Sequence, residues 1–372
     1  MSQTDNMKKV WVLGAGQLGA MLRQAGNPIG LDVRPISAVQ PKNDVAELAS
    51  TDVVTPEIEA WDNTKTTEKL AQHANFINRD VFPVIADRLS QKRSLDDFGV
   101  ATAKWLPVEA NTTTATLHQT LGDTVLLKRR RGGYDGRGQH WLREKNDSIP
   151  EDFLGQSIAE QAINFSAEIS IIGVRDRQGC MRFYPLSQNH HVNGILKATI
   201  GASKKYAHLQ KTAEKMLSKV LNGFDYIGVM AMECFVILDH NGQEQLLVNE
   251  LAPRVHNSGH WTQAGSSISQ FESHLRAVAD LPLGQPTTKG LSVMINLVGM
   301  DYENAWLDVR GAEVYWYGKE VRVGRKLGHI NFCQPKPESL NQLAALLPSA
   351  DEAVIDWVLG QLLEQPKTTE LV

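Results

Sequence analysis

Cysteine is scarce: Cys180, Cys234 and Cys333 are the only three in 372 residues, far apart and without C-x-x-C spacing. That excludes a disulfide scaffold, argues against a zinc site and suits a reducing compartment. Each is expected to be a small buried hydrophobe. No apolar run approaches the roughly 18 residues needed to span a bilayer, and residues 1–9 lack the apolar stretch of a secretory signal. The reading is a cytoplasmic enzyme. A basic excess is missing too, because 38 Lys and Arg stand against 42 Asp and Glu, for a formal charge of −4. A protein held to nucleic acid through phosphates would need that excess, so any anion binding must be local. Repeats and low-complexity tracts are also lacking. What remains is ordinary globular composition, 42% hydrophobic and 22% charged, in a chain long enough for two or three domains.

The run 9–13 (KVWVL) reads as a strand, followed by Gly-punctuated GAGQLG at 14–19, a helix through Gln24 and a second strand at 31–36. This βαβ opening continues with short strands at 52–55 and 76–78 around a helix at 64–71, giving a small parallel unit over residues 1–98 that ends in a helix at 86–98. Residues 99–285 read as an α+β domain, with strands at 124–129, 157–162, 167–174, 181–188, 227–238 and 245–251 and helices at 203–221 and 267–280. LPLGQP at 281–286 leads into a last unit, 286–372, with strands at 291–297 and 313–317 and a helix near 338–347.

Gly14, Gly16 and Gly19 fit G-x-G-x-x-G between a strand and a helix, the context of a dinucleotide fingerprint. That reading wants an acidic residue at the far end of the second strand, whereas Asp32 lies at the near end. A nicotinamide oxidoreductase is therefore the weaker alternative. The glycines still allow a close backbone approach to another ribose or phosphate group.

The segment 227–238 (IGVMAMECFVIL) is almost wholly apolar yet carries Glu233, and a lone carboxylate there would be costly. Asn241-Gly242 then signals a hairpin. If these two residues form the loop, Glu233 lies opposite Glu250. Carboxylates so placed repel unless a proton or cation lies between them, and two carboxylates with phosphate oxygens and water suit Mg²⁺, with Mn²⁺ a possible substitute. The alternatives are a protonated Glu or a bulge that shifts the register. Asn249, on the opposite face of an ideal strand, is a further metal or phosphate contact.

Lys128 to Arg131 run into Gly132, Gly133, Tyr134, Asp135, Gly136, Arg137 and Gly138, a flexible basic loop between strands, suited to covering phosphates. It lacks the G-K-[ST] ending of a Walker A loop. Residues 249–260 crowd Asn249, Glu250, Arg254, His256, Asn257 and His260 together. Lys319, Arg322, Arg325 and Lys326 form a cluster fit for one phosphate.

In this order GAGQLG (14–19), NRDVFPVIADRL (78–89), KRRRGGYDGRGQ (128–139), EQAINFSAE (160–168), GVMAMECF (228–235), NELAPRVHNSGHWT (249–262) and KEVRVGRKLGH (319–329) resemble the ATP-grasp superfamily. Within it they resemble the N5-carboxyaminoimidazole ribonucleotide synthetases. The resemblance implies a preATP-grasp Rossmann-like domain, an ATP-grasp domain and a small C-terminal domain. It implies a carbon–nitrogen ligase of purine biosynthesis that uses ATP, Mg²⁺, bicarbonate and 5-aminoimidazole ribonucleotide, passes through carboxyphosphate and forms a homodimer. It places ATP at Arg88, Lys128, the lid Gly133, Tyr134, Asp135, Gly136, Arg137, Gly138 and Gln139, at Glu160, Gln161, Ala162 and Ile163 beside adenine, at Glu168 on the ribose, and at His191, Asn249 and Glu250. Glu233 and Glu250 match metal ligands, Arg254 and His256 the bicarbonate pocket. Asp135 and Lys319 join these two as catalytic positions. The ribonucleotide would meet Gln17, Leu18, Glu57, Tyr134, Asp135, Arg137 and Asn257, with Lys319, Arg325 and Lys326 on its 5′-phosphate. Arg131 departs from the small or hydroxylated residue expected in the lid. A formate-using glycinamide ribonucleotide transformylase and a catalytically dead nucleotide sensor are the alternatives that share much of this pattern.

Overall fold

The computed structural model describes residues 8–38, 45, 47–133 and 137–364. Strands β1 (Lys9–Leu13), β2 (Asp32–Ile36) and β3 (Val53–Pro56) form a parallel sheet in the order β2-β1-β3. β1 is its buried centre. The helix Gln17–Gly26 makes the crossover, and Leu18, Met21 and Leu22 join Phe271 and Leu275 in one core cluster. Two glycines are required here. Gly14 has φ +126°, and a Cβ on Gly19 would lie 2.6 Å from the Gly14 carbonyl oxygen.

Four antiparallel strands, β4 (Trp105–Val108), β5 (Val125–Arg129), β6 (Gln139–Leu142) and β7 (Ser157–Gln161), pair in the order β4-β7-β5-β6. The basic glycine-rich loop joins β5 to β6 as a hairpin, with Lys128 opposite Gln139.

The large sheet contains β8 (Ala167–Arg175), β9 (Met181–Phe183), β10 (Ser187–Val192), β11 (Ile195–Gly201), β12 (Gly228–Leu238), β13 (Glu244–Ala252), β14 (Ser292–Val298), β15 (Glu313–Trp316) and β16 (Lys326–Cys333). Its order is β13-β12-β8-β10-β11-β14-β16-β15, with β9 beside β8. Antiparallel pairing of β11 with β14 carries the sheet across the 281–286 link, so the last unit continues the same hydrogen-bonded surface. The helix Gln210–Gly223 packs into one apolar cluster on this sheet and Gln270–Val278 into another. Helices Pro337–Ala344 and Ser349–Leu363 contribute to a third, with β14 and β16.

Among the described residues, three register shifts interrupt this sheet, at His190/His191, at Glu233/Cys234 and at Leu297/Val298. The residues left over in the partner strands are Lys197, Asn249 and Leu327. Each shift lies at a candidate site residue: His191, the Glu233 and Glu250 pair, and Lys326. Bulges re-aim side chains at the cost of one ladder pair.

Several expectations are corrected. The 76–78 segment makes one isolated bridge to Val54 rather than a strand. The helix expected at 86–98 runs over Arg88–Asp97 with Asp87 as its N-cap, and a separate short helix, Phe82–Ile85, precedes it. The 181–188 strand breaks at Pro185 into β9 and β10, because proline cannot donate to a ladder. Of the cysteines, only Cys234 is buried; Cys180 and Cys333 are half-buried. The Asn241-Gly242 loop is not two residues long. Asp239 N–H bonds Gln243 O at 2.9 Å and Gly242, at φ +76°, closes a three-residue loop, the turn-plus-left-handed-residue geometry.

Candidate active site

The longer loop shifts the β12–β13 register by one, so Cys234 pairs with Val248; the bulge at Asn249 then shifts it back, and Glu233 pairs with Glu250. Both carboxylates therefore share one face. Burial drives the Glu233 carboxyl above the ordinary range; His191 and Lys326 oppose the shift, while Glu250 and Glu168 add to it. Glu233 Oε1 is buried without a hydrogen-bond partner, whereas the Glu250 side chain is 44% exposed. An orphaned buried oxygen beside a second carboxylate fits a hard cation. Among the described residues no group of three or more His, Cys, Asp or Glu side chains could hold a metal, so the pair would need phosphate oxygens and water to complete a cation's shell.

Around the pair, helix Arg88–Asp97 presents Arg88 to Gly133 O at 2.5 Å, to Arg129 O at 3.0 Å and to Glu250 Oε2 at 3.7 Å. One turn on, Lys92 Nζ lies 2.6 Å from Glu160 Oε1, and Lys128 Nζ lies 2.6 Å from Glu160 Oε2 and donates to Asn249 Oδ1 at 3.1 Å. Burial alone would raise the Glu160 carboxyl, but the two ammonium groups outweigh it and hold it down at about 2. Burial pushes the Lys92 ammonium down. Asp87 pairs with Arg130 at 2.5 Å and Arg131 at 3.4 Å, so the unexpected Arg131 has a buried anionic anchor. Tyr134, Asp135 and Gly136 lie outside the described residues. Gly138 O accepts from Arg129 N at 2.9 Å, closing the lid's base beside Arg137.

On β8 and β10, Glu168 Oε2 meets His191 Nδ1 at 3.1 Å; burial lowers this imidazole, but Glu168 and Glu233 raise it more. Phe235, paired with Glu168 and two residues on from Glu233, shares this face and stacks on Phe165 with centroids 4.5 Å apart. The Gln161 and Ala162 N–H groups bond Lys104 O and Thr124 O, leaving Ile163 at the strand's end.

His256 Nδ1 accepts from Ser258 N–H at 3.3 Å and lies 2.9 Å from Ser258 Oγ, which accepts from Ser170 Oγ. These bonds assign the ring proton to Nε2. Burial, then the Arg254 and Lys326 charges, push His256 well below the usual range, and Glu233 Oε1 stands 3.7 Å from Nδ1. Arg254 pairs with Glu59 at 2.7 Å. Asn257 and Asn296 exchange amide bonds at 2.7 and 3.0 Å.

The first loop turns toward the last unit. Lys319 donates to Gln17 Oε1, while Glu57 accepts from Gly16 N–H at 3.0 Å. This carboxylate occupies the helix N-terminus that a dinucleotide pyrophosphate would need, and burial raises its pKa. The Leu18 side chain is buried in the core, which leaves its backbone for a ligand. Arg325 donates to Glu320 O and Arg322 pairs with Glu320, within their own loop. Sequence reasoning missed Asp87, Lys92, Asn296 and Phe235. Helical spacing from Arg88 offered a signal for Lys92, and strand alternation from Glu233 one for Phe235.

Residues 93–271 match the ATP-grasp domain model, and 292–343 the phosphoribosylaminoimidazole carboxylase C-terminal domain. The chain is 48% identical over 344 residues to N5-carboxyaminoimidazole ribonucleotide synthase of Escherichia coli, covering 92% of this chain and 95% of the relative. The crystal structure of N5-carboxyaminoimidazole ribonucleotide synthetase from Thermus thermophilus superposes with a TM-score of 0.77 at 35% identity, over 91% of this chain and 98% of that one. N5-carboxyaminoimidazole synthase from Aspergillus clavatus, solved with ADP and 5-aminoimidazole ribonucleotide, superposes with a TM-score of 0.77 at 27% identity, over 94% and 99%. The chain belongs to the N5-carboxyaminoimidazole ribonucleotide synthase family of ATP-grasp ligases.

Proposed function

We propose that the face around Glu233 and Glu250 joins ATP to bicarbonate, and that the resulting carboxyphosphate carboxylates an amine held against the first loop. The overall reaction is the family's: ATP-dependent carboxylation of 5-aminoimidazole ribonucleotide in purine biosynthesis. The observation that carries the site reading is the carboxylate pair with its orphaned Glu233 oxygen.

Adenine lies at the end of β7, its amino edge toward Glu160 and the backbone near Ile163, with Phe235 as one wall. Glu168, oriented by His191, accepts from the ribose hydroxyls. Arg88 and Lys128 neutralise phosphate oxygens while the lid backbone, 133–139, closes over them. Glu233 and Glu250 would hold Mg²⁺; when bound, that ion neutralises charge as the γ-phosphoryl group moves.

Arg254 offers a planar fork to bicarbonate, and neutral His256 donates a hydrogen bond from Nε2. Bicarbonate is a poor electrophile. Phosphorylating one of its oxygens makes a mixed anhydride, which the amine attacks to give the carbamate and release phosphate. Positioning and charge neutralisation supply most of the rate, because both partners are anions. Lys319, Arg325 and Lys326 grip the ribonucleotide's 5′-phosphate beside Gln17 and the Leu18 backbone, with Glu57 and Asn257 near the base and Asp135, Tyr134 and Arg137 closing from the lid.

Phosphate release that requires Mg²⁺, bicarbonate and 5-aminoimidazole ribonucleotide together, with formate and glycinamide ribonucleotide inert, is the expected result. Equal turnover with formate would replace this reading by the transformylase one, and ATP binding without turnover by the sensor.

A further inference from the structure

Lys92 has no role in the reaction described above, yet it is 2% exposed and its ammonium nitrogen is buried without a well-aligned hydrogen bond, in ion-pair contact with Glu160 Oε1 at 2.6 Å. An ammonium has three donors, so burying it here is costly unless its charge is used. Glu160 is 4% exposed and is bridged by two lysines, one per oxygen. The two lysines differ in their freedom. Lys128 stands at the base of the lid and also bonds Asn249, next to Glu250; Lys92 sits within a helix, facing β7, and keeps to Glu160.

Phosphate oxygens compete for Lys128. Once it turns to them, Glu160 Oε2 is left as a bare acceptor and Lys92 remains the counter-ion on Oε1. A carboxylate kept ionised in this way accepts hydrogen bonds and cannot donate one. Adenine presents an exocyclic amino donor at its 6-position, whereas guanine and hypoxanthine present a carbonyl oxygen, which the carboxylate repels.

We propose that Lys92 is a specificity-determining positioning residue: by holding Glu160 as a fixed, ionised acceptor, it makes the site select a 6-amino purine nucleotide over a 6-oxo one. The proposal rests on the reading of Glu160 as the acceptor at the adenine edge.

The test compares kcat/KM for ATP and ITP, with bicarbonate and 5-aminoimidazole ribonucleotide saturating, in wild type, Lys92→Gln, Lys92→Met, Glu160→Gln and Lys92→Met/Glu160→Gln. Lys92→Gln offers Glu160 a neutral amide donor in place of the charge, so a role that needs only a polar side chain there would be rescued by it. The expected result is a fall in the ATP-over-ITP ratio of about tenfold or more in both Lys92 variants, with the KM for the ribonucleotide unchanged. The double variant removes both members of the Lys92–Glu160 pair, leaves Lys128 its bond to Asn249 and serves if Lys92→Met does not fold. Its ratio is expected to equal that of Glu160→Gln alone, because one residue acts through the other. A wild-type ratio in Lys92→Gln with a collapsed ratio in Glu160→Gln overturns the role of Lys92 and spares Glu160. A wild-type ratio in Glu160→Gln overturns the adenine-edge reading itself. Additive losses in the double variant show that Lys92 does not act through Glu160 and also overturn the proposal.

Discussion

Glu233 faces Glu250 across β12 and β13 with Asn249 bulged out of the ladder beside them. In a ladder without that bulge Glu233 would oppose Asn249, and Glu250 would turn to the other face of the sheet. The bulge thus gives three neighbouring groups two tasks: the two carboxylates meet on one face, while the amide of Asn249 accepts from Lys128.

Glu250→Gln removes a charge whose side chain is 44% exposed and relieves its repulsion with Glu233. Thermal stability is expected to hold or rise slightly, while Mg²⁺-dependent ADP formation falls about 10²-fold or more. A melting curve and a Mg²⁺ titration on the same sample check this, and near-normal turnover would remove Glu250 from the metal-holding pair.

The parts of the fold legible in the sequence were those with clean periodicity. β1, β5, β8 and β12 are apolar runs with few interruptions, and the carboxylate in β12 stood out against them. β4 (Trp105–Val108) was missed because Pro107 reads as a strand breaker; it is an edge strand, where proline is tolerated. β16 was missed because His329 and Asn331 look solvent-bound. Both are fully buried, His329 between Tyr317 and Gln263 and Asn331 on His260 O. The facing of Glu233 and Glu250 was expected from a two-residue turn that does not exist; the longer turn and the bulge shift the register in opposite senses. No local pattern announces such a pair of compensating irregularities.

Asp87 caps the helix that carries Arg88 and Lys92 by accepting from Leu89 N–H at 3.0 Å, and it anchors Arg130 and Arg131 at the lid base. Burial alone would raise its carboxyl, but the arginines and the Leu89 N–H lower it. Asp87→Asn can keep the cap and loses the ion pairs. A stability loss of about 1–3 kcal/mol is expected, together with a several-fold rise in KM for ATP and faster tryptic cleavage after Arg130 or Arg131. Unchanged cleavage would mean that the lid base is held by other contacts.

His274 bridges the N-terminal sheet and the large sheet: Nδ1 accepts from Val229 N–H at 3.1 Å, and Nε2 lies 2.9 Å from Thr55 Oγ1. Burial lowers its pKa to about 4, below the 6.5 of the unfolded chain. Between these values the unfolded state binds the extra proton, so stability is full above pH 6.5 and is lost as pH falls toward 4. The loss is about 3 kcal/mol at most. His274→Gln cannot titrate and is expected to flatten this part of a pH series of denaturant midpoints, whatever its effect at neutral pH. An equally steep acid limb in the variant would assign the titration elsewhere.

Lys326 begins β16 at the third bulge, in the cluster with Lys319 and Arg325. The 5′-phosphate expected there takes no part in bond making, so its contacts hold substrate and transition state alike. Lys326→Ala should therefore raise the KM for the ribonucleotide by about 10- to 100-fold, the worth of one charge-assisted hydrogen bond, and leave the KM for ATP within about twofold. Part of the loss will fall on kcat if remote binding energy positions the amine against the carboxyphosphate. Initial rates over a matrix of ATP and ribonucleotide concentrations separate the two effects. A rise confined to the KM for ATP would move Lys326 from the ribonucleotide to the nucleotide triphosphate, consistent with its field reaching Glu233 and His256, and the basic cluster would then need another ligand.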